Sequence, residues 1–126
     1  ALTADCGFYV SSVVNGIINE YDADGAFVQR VLAPPAGEEL GAEPFSTGTP
    51  LGLATGPDGS LFYADLGLVA DPATGFGPGD QTGSVRVIRF VDGEPQPPEV
   101  VADDLDFPDG LGVFPAGGAG GIASVL

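Results

Sequence analysis

Almost every side chain in this sequence that could carry chemistry is a carboxylate. Eighteen Asp and Glu residues face three cations, Arg30, Arg86 and Arg89, and the chain has no His and no Lys. A Ser–His–Asp triad, an imidazole-ligated metal and a Schiff-base lysine are therefore impossible within it. The single thiol, Cys6, has no histidine base and no partner for an internal disulfide, and it stands beside Gly7 in a turn-like stretch. What remains is carboxylate and carbonyl oxygen, which suits hard cations such as Ca²⁺ or Mg²⁺.

Two acidic groups have a spacing worth weighing. Asp71 and Asp80, with Gln81, are separated by glycines in the stretch 66–83 and could supply oxygen ligands or touch a partner. They lack the dense alternation of an EF-hand loop, and a rim loop is the plainer reading. Asp103, Asp104 and Asp106 crowd the approach to Asp109. Such crowding can raise a carboxylate pKa or draw in a cation, against the plainer reading of solvated charge. Asp24, Asp58, Asp65 and Asp92 recur beside turns, where short acidic side chains hold backbone amides, and are assigned to the fold.

The charge balance limits partners. A net charge of −15 repels phosphate backbones and anionic lipid, so nucleic-acid binding is excluded and membrane surfaces are disfavoured. Cation binding, or solubility in a salty or extracellular medium, would account for the acidity, and an extracellular or periplasmic location is expected. No apolar run approaches the ~18 residues of a membrane span. No basic segment leads into an apolar one as in a signal peptide. The start at Ala1 rather than Met suggests processing or a piece of something longer.

The elements that must position these residues are strands. The 126 residues suffice for one ordinary domain, and 21 Gly with 12 Pro fall between apolar runs, at turn positions. No 3.6-residue apolar period survives them, so an all-β chain is expected. The best-formed stretch is Pro50–Gly67: an apolar strand, a Pro57-Asp58-Gly59 turn and a second strand ending in Ala64-Asp65. A clipped copy opens the chain, with Phe8-Tyr9-Val10 in place of Phe62-Tyr63-Ala64. Strands at 17–21 and 27–32 flank an Asp22–Gly25 turn; strands at 85–90 and 99–102 flank Asp92-Gly93. Asp106–Pro115 starts the pattern again, with a glycine-rich turn at 116–121 and a strand from Ile122.

The repeat is a four-stranded unit: residues 1–32 a first copy, 50–102 a second, 109–126 the start of a third. In an up-and-down unit, alternate connections emerge at opposite ends. The short turns (22–25, 56–59, 92–93, 116–121) fall at one end. The connections 11–16, 33–49, 66–83 and 103–109, which include every long one, fall at the other. A functional site is expected at the long-loop end.

The stretch Pro50, Gly52, Leu53, Ala54, Pro57, Asp58, Gly59, Leu61, Tyr63, Ala64 and Asp65, together with Val87–Phe90 and Asp92-Gly93, resembles the six-bladed β-propeller superfamily of NHL repeats and SMP-30/gluconolactonase proteins. The resemblance covers nearly the whole chain and implies antiparallel four-stranded blades, with the remaining blades in the same longer chain or in further subunits. Pro108-Asp109-Gly110-Leu111 resembles the lactonase motif whose Asp binds a divalent metal and acts as general base. That implies Asp109 as catalytic residue and ligand; Asp106, Asp71 and Asp80 are, from their position and spacing, further candidate ligands of Ca²⁺ or another divalent cation. Leu51 stands where related enzymes place an Asn ligand, and Asp109 could instead cap its strand. The implied function is hydrolysis of a lactone or small ester at the long-loop face. The alternative is a non-catalytic NHL-like module that holds a protein or glycan there. A quinone-dependent sugar dehydrogenase ranks last, because only Arg could replace the His and Lys those relatives use.

Overall fold

The structure, a computed structural model, describes residues 1–116 and 121–125. Among these there is no helix, and so none long and apolar enough to cross a membrane. Every strand pairing is antiparallel.

Strands β1 (Phe8–Ser12), β2 (Ile17–Tyr21) and β3 (Phe27–Leu32) form a three-stranded meander. Beside β1, Leu2 and Phe8 form an isolated antiparallel bridge, closed by a turn in which Cys6 has positive φ. The β2–β3 connection shows how a turn is specified by sequence. Asp22 Oδ1 accepts the amides of Asp24 and Ala26, at 3.0 and 2.9 Å, and Gly25 takes the left-handed φ of 86°. The side chain that holds this turn is therefore Asp22, not the Asp24 expected from the repeat.

The second unit is a four-stranded sheet in the order β4 (Pro50–Thr55), β5 (Leu61–Asp65), β8 (Gly83–Ile88), β11 (Glu99–Leu105). Its strands match the expected positions with two corrections. The stretch 66–83 is not a plain rim loop: it folds into a hairpin, β6 (Leu68–Asp71) with β7 (Gly75–Pro78). The expected strand 85–90 leaves the sheet after Ile88, and β9 (Phe90–Val91) pairs instead with β10 (Glu94–Pro95). The packing of Phe90 accounts for this. Its ring stacks on Tyr9 of the first sheet, with centroids 6.1 Å apart. Lastly, β12 (Val113–Ala116) pairs with β13 (Gly121–Val125); of the expected glycine-rich turn at 116–121, Ala116 and Gly121 are paired strand ends and 117–120 lie outside the described residues.

The core sits between the two larger sheets. Tyr9, Ile18, Val31 and Leu32 pack against Leu61, Tyr63 and Ile88, with Leu53 and Phe90 at the margin. The register Leu61↔Ile88 and Phe62↔Val87 puts alternate residues of β5 on opposite faces, yet all five are buried. Both faces of the central sheet are thus covered at β5, unlike a sheet with one solvated face, whose strands would alternate apolar with polar. Burying each of Leu61, Phe62 and Ile88 contributes roughly 1.5–3 kcal/mol. Ser11 Oγ, which donates to the Leu51 carbonyl at 2.9 Å, ties the two sheets together near the long-loop end.

Candidate functional site

The long connections meet at one end of the central sheet, around Asp65. This carboxylate is 1% exposed and fully engaged. Oδ1 accepts the amides of Thr49 and Gly67, both at 2.8 Å; Oδ2 accepts Ser84 Oγ at 2.7 Å and Arg86 Nη2 at 3.3 Å. Arg86 in turn donates to Ser84 Oγ and to the Ser46 carbonyl. Thr49 Oγ1 accepts the Leu68 amide, and the Tyr63 hydroxyl donates to the Thr47 carbonyl at 2.7 Å. Burial raises the Tyr63 pKa and keeps its phenol protonated. A buried carboxylate with four donors, one of them a cation, is a structural device, because its lone pairs are spent. Beside it, Thr47 Oγ1 is buried without a partner among the described residues.

The sequence candidates lie around this knot and do not converge. Asp71 Oδ1 accepts the amides of Ala73 and Thr74, closing the β6–β7 turn. Asp106 Oδ1 accepts the Gln81 amide at 3.2 Å, pinning the end of the hairpin connection. Asp80 is exposed beside it. Asp109 is exposed, and its Oδ1 accepts the amide of the next residue, Gly110, at 2.5 Å. The backbone at Asp109 lies directly on Gly52, where a methyl group would collide with the Asp109 carbonyl. The approach needs a glycine at 52, and it sets Asp109 beside β4. Among the described residues no three carboxylates or thiolates gather as a metal site. Calcium takes six to eight oxygens; within this chain Asp109 would bring one carboxylate and need partners from elsewhere.

Sequence reading passed over the apolar side chains at this end. The β6–β7 hairpin is pinned to the 33–49 connection by the Ala70 amide, which donates to the Gly41 carbonyl at 2.7 Å. Between them lies a cavity of about 480 Å³ walled by Leu40, Ala42, Ala70, Pro72 and Phe76, with Asp71 at its rim. A second, of about 670 Å³, opens on the other side of Leu40 and Phe76, between Val14, Ile17, Pro34 and Phe45, with Glu38, Glu39 and Arg30 at its edge. Phe76 is 58% exposed between the two, whereas Phe45 is buried. Glu38 is fixed by the Ser46 hydroxyl and amide, which hold its carboxyl below the usual range. The available signal was an isolated aromatic in each of two Gly/Pro-rich stretches, Phe45 and Phe76. A third cavity, of about 490 Å³, lies at the short-turn end between Leu2, Tyr9, Glu20, Thr55 and Phe90.

Compared with protein-family models, with curated proteins and with solved structures, the chain matches none.

Proposed function

We propose that this chain is a run of β-propeller blades that works as a binding module and holds a protein or glycan at its long-loop end. The single observation behind the binding reading is the β6–β7 hairpin, which raises an exposed Phe76 between two cavities on a base tied down by the Asp65 knot. A half-exposed aromatic on a fixed support contributes contact area at little ordering cost, which is what recognition surfaces require. The blade reading is supported by the up-and-down order β4-β5-β8-β11, by the burial of β5 on both faces and by the shortened meander that precedes it. Exposed aliphatic side chains, Val10 and Val28 on the first sheet and Val100 and Val101 on β11, are surfaces that further blades would cover. The test is a glycan and peptide array probed with the purified protein and with Phe76→Ala. Capture by the parent and loss with the variant, at an unchanged melting temperature, supports the reading. Equal capture by both places recognition elsewhere.

A second reading is the metal-assisted lactonase, favoured by the exposed carboxylate of Asp109 next to β4. Here Asp109 would serve as one ligand and general base, joined by ligands from further blades. Lactone hydrolysis that needs added calcium, stops on chelation and is lost in Asp109→Ala would put this reading first. Hydrolysis unaffected by chelator and by that substitution would end it.

A further inference from the structure

The chain contains five pairs in which Asp or Asn precedes Gly: Asn15–Gly16, Asp24–Gly25, Asp58–Gly59, Asp92–Gly93 and Asp109–Gly110. Such pairs are chemically labile, because glycine leaves the following amide nitrogen open to attack on the side-chain carbonyl carbon. In four of them the fold works against this reaction. Gly16, Gly25, Gly59 and Gly93 are all locked in left-handed turn positions. The amides of the first three donate to the carbonyls of Val13, Asp22 and Gly56. Two of the four side chains are also turned elsewhere: Asn15 Nδ2 donates to Ser12 Oγ, and the Asp58 carboxylate takes both the amide and the hydroxyl of Ser60.

Asp109–Gly110 lacks the one protection that all four share. Gly110 lies outside the left-handed region, and none of the described residues stands within 4 Å of where its Cβ would be. Both residues are exposed. Among the described residues the Gly110 amide meets one partner, Asp109 Oδ1 at 2.5 Å, which brings the nitrogen alongside the carboxyl it would attack. We propose that Asp109 is a site of spontaneous isoaspartate formation in the folded protein, and the one site of the five where folding does not suppress it. The Gly110 nitrogen bonds to Asp109 Cγ, and one carboxyl oxygen leaves as water with the amide proton and the carboxyl proton. Water then opens the resulting succinimide at either carbonyl. One opening restores aspartate; the other routes the main chain through the side chain and leaves the α-carboxylate pendant. Mass is unchanged, no oxidant or enzyme is needed, and one methylene is added to the backbone where it crosses Gly52.

The experiment incubates the full chain at physiological temperature, folded and in denaturing urea, and maps isoaspartate by peptide separation and methyltransferase labelling. In urea all five pairs react. In the folded protein, position 109 keeps its urea rate or exceeds it, while the other four fall several-fold. Suppression at 109 equal to that at the other pairs overturns the inference, as does first appearance of isoaspartate at any of the other three Asp–Gly pairs; the intrinsically faster Asn15–Gly16 is judged only against its own rate in urea. Gly110→Ala supplies the control, since its methyl group enters open space on a backbone that alanine accepts. It should slow the reaction at 109 several-fold with the melting temperature unchanged; an unaltered rate overturns the assignment.

Discussion

The two ends of the central sheet use the same side chain for the same purpose, under different conditions. At the short-turn end, the Asp58 carboxylate is exposed and holds a three-residue turn through the amide and hydroxyl of Ser60. At the long-loop end, Asp65 is buried and joins segments that are 16 to 21 residues away in sequence, Thr49, Ser84 and Arg86. The local turn survives loss of its carboxylate, because water replaces the bonds. The buried knot has no such replacement. The glycines follow the same division. Gly59 is needed for its left-handed φ alone, with open space around it, whereas Gly48 combines that φ with a position where a methyl group would collide with the Asp65 carboxylate. The long-loop end is therefore the rigid base, and the short-turn end is specified residue by residue.

This contrast sets a ranking. Asp65→Ala leaves the Thr49 and Gly67 amides without their acceptor and Arg86 without its carboxylate, and should lower stability by about 3–5 kcal/mol in urea unfolding. A loss under about 1 kcal/mol would place the knot on the same footing as the exposed turns. Gly48→Ala follows at roughly 2–5 kcal/mol, strain and overlap together. Gly59→Ala, with strain alone, should cost about 1–2 kcal/mol; equal losses for the two would erase the distinction.

Alkaline titration compares the ends through two tyrosines. Burial, with a smaller effect of the Glu20 charge, pushes Tyr9 up from 10 to about 12, and deeper burial raises Tyr63 as well. The folded state then holds protons that the unfolded chain has released. Stability is fully present below pH 10 and falls as the pH rises toward 12. Tyrosinate absorbance should show Tyr9 ionising late, and Tyr63 only as the knot opens. Ionisation of Tyr63 at pH 10 with the fold intact would contradict its burial.

The smallest effect belongs to Asp58. The Ser60 amide holds its carboxyl below the ordinary value of 3.8. Its contribution is present above that value and lost as the pH falls through the lower, folded one. Asp58→Ala should therefore destabilise by less than about 1 kcal/mol at neutral pH. In strong acid it should match the parent in thermal melts.

Much of the sheet was legible in the sequence because its signals are local. The Asp-Gly turns and the runs 51–54 and 62–64 announce strands through residue type alone. The β6–β7 hairpin was missed for the opposite reason. Its cross-strand pairs are Leu68↔Pro78, Val69↔Gly77, Ala70↔Phe76 and Asp71↔Gly75, so Gly and Pro occupy the partner strand. What anchors it is the bond from Ala70 to Gly41. Asp65 could be assigned to the fold from its place beside a turn, but its bonds to Ser84 and Arg86 depend on register across β5 and β8. The acidic candidates Asp71 and Asp106 turned out to hold backbone amides, as Asp22 and Asp58 do. In a chain with 18 carboxylates, amide capping by Asp is common enough to obscure any ligand set read from composition.

The outer strand β11 has a consequence for how copies of this protein behave together. It exposes Val100 and Val101, 53% and 51% accessible, along an edge that no described strand pairs and that would otherwise invite a strand from another chain. Two register shifts interrupt that edge, at Val100/Ala102 and at Ala102/Leu105, and Glu99, Asp103 and Asp104 charge it. Like-charged edges repel at low ionic strength, and salt near 1 M shortens that repulsion to about 3 Å. The acidity of this strand is thus a colloidal safeguard that weakens with salt, leaving the bulges to keep neighbouring chains apart in brine.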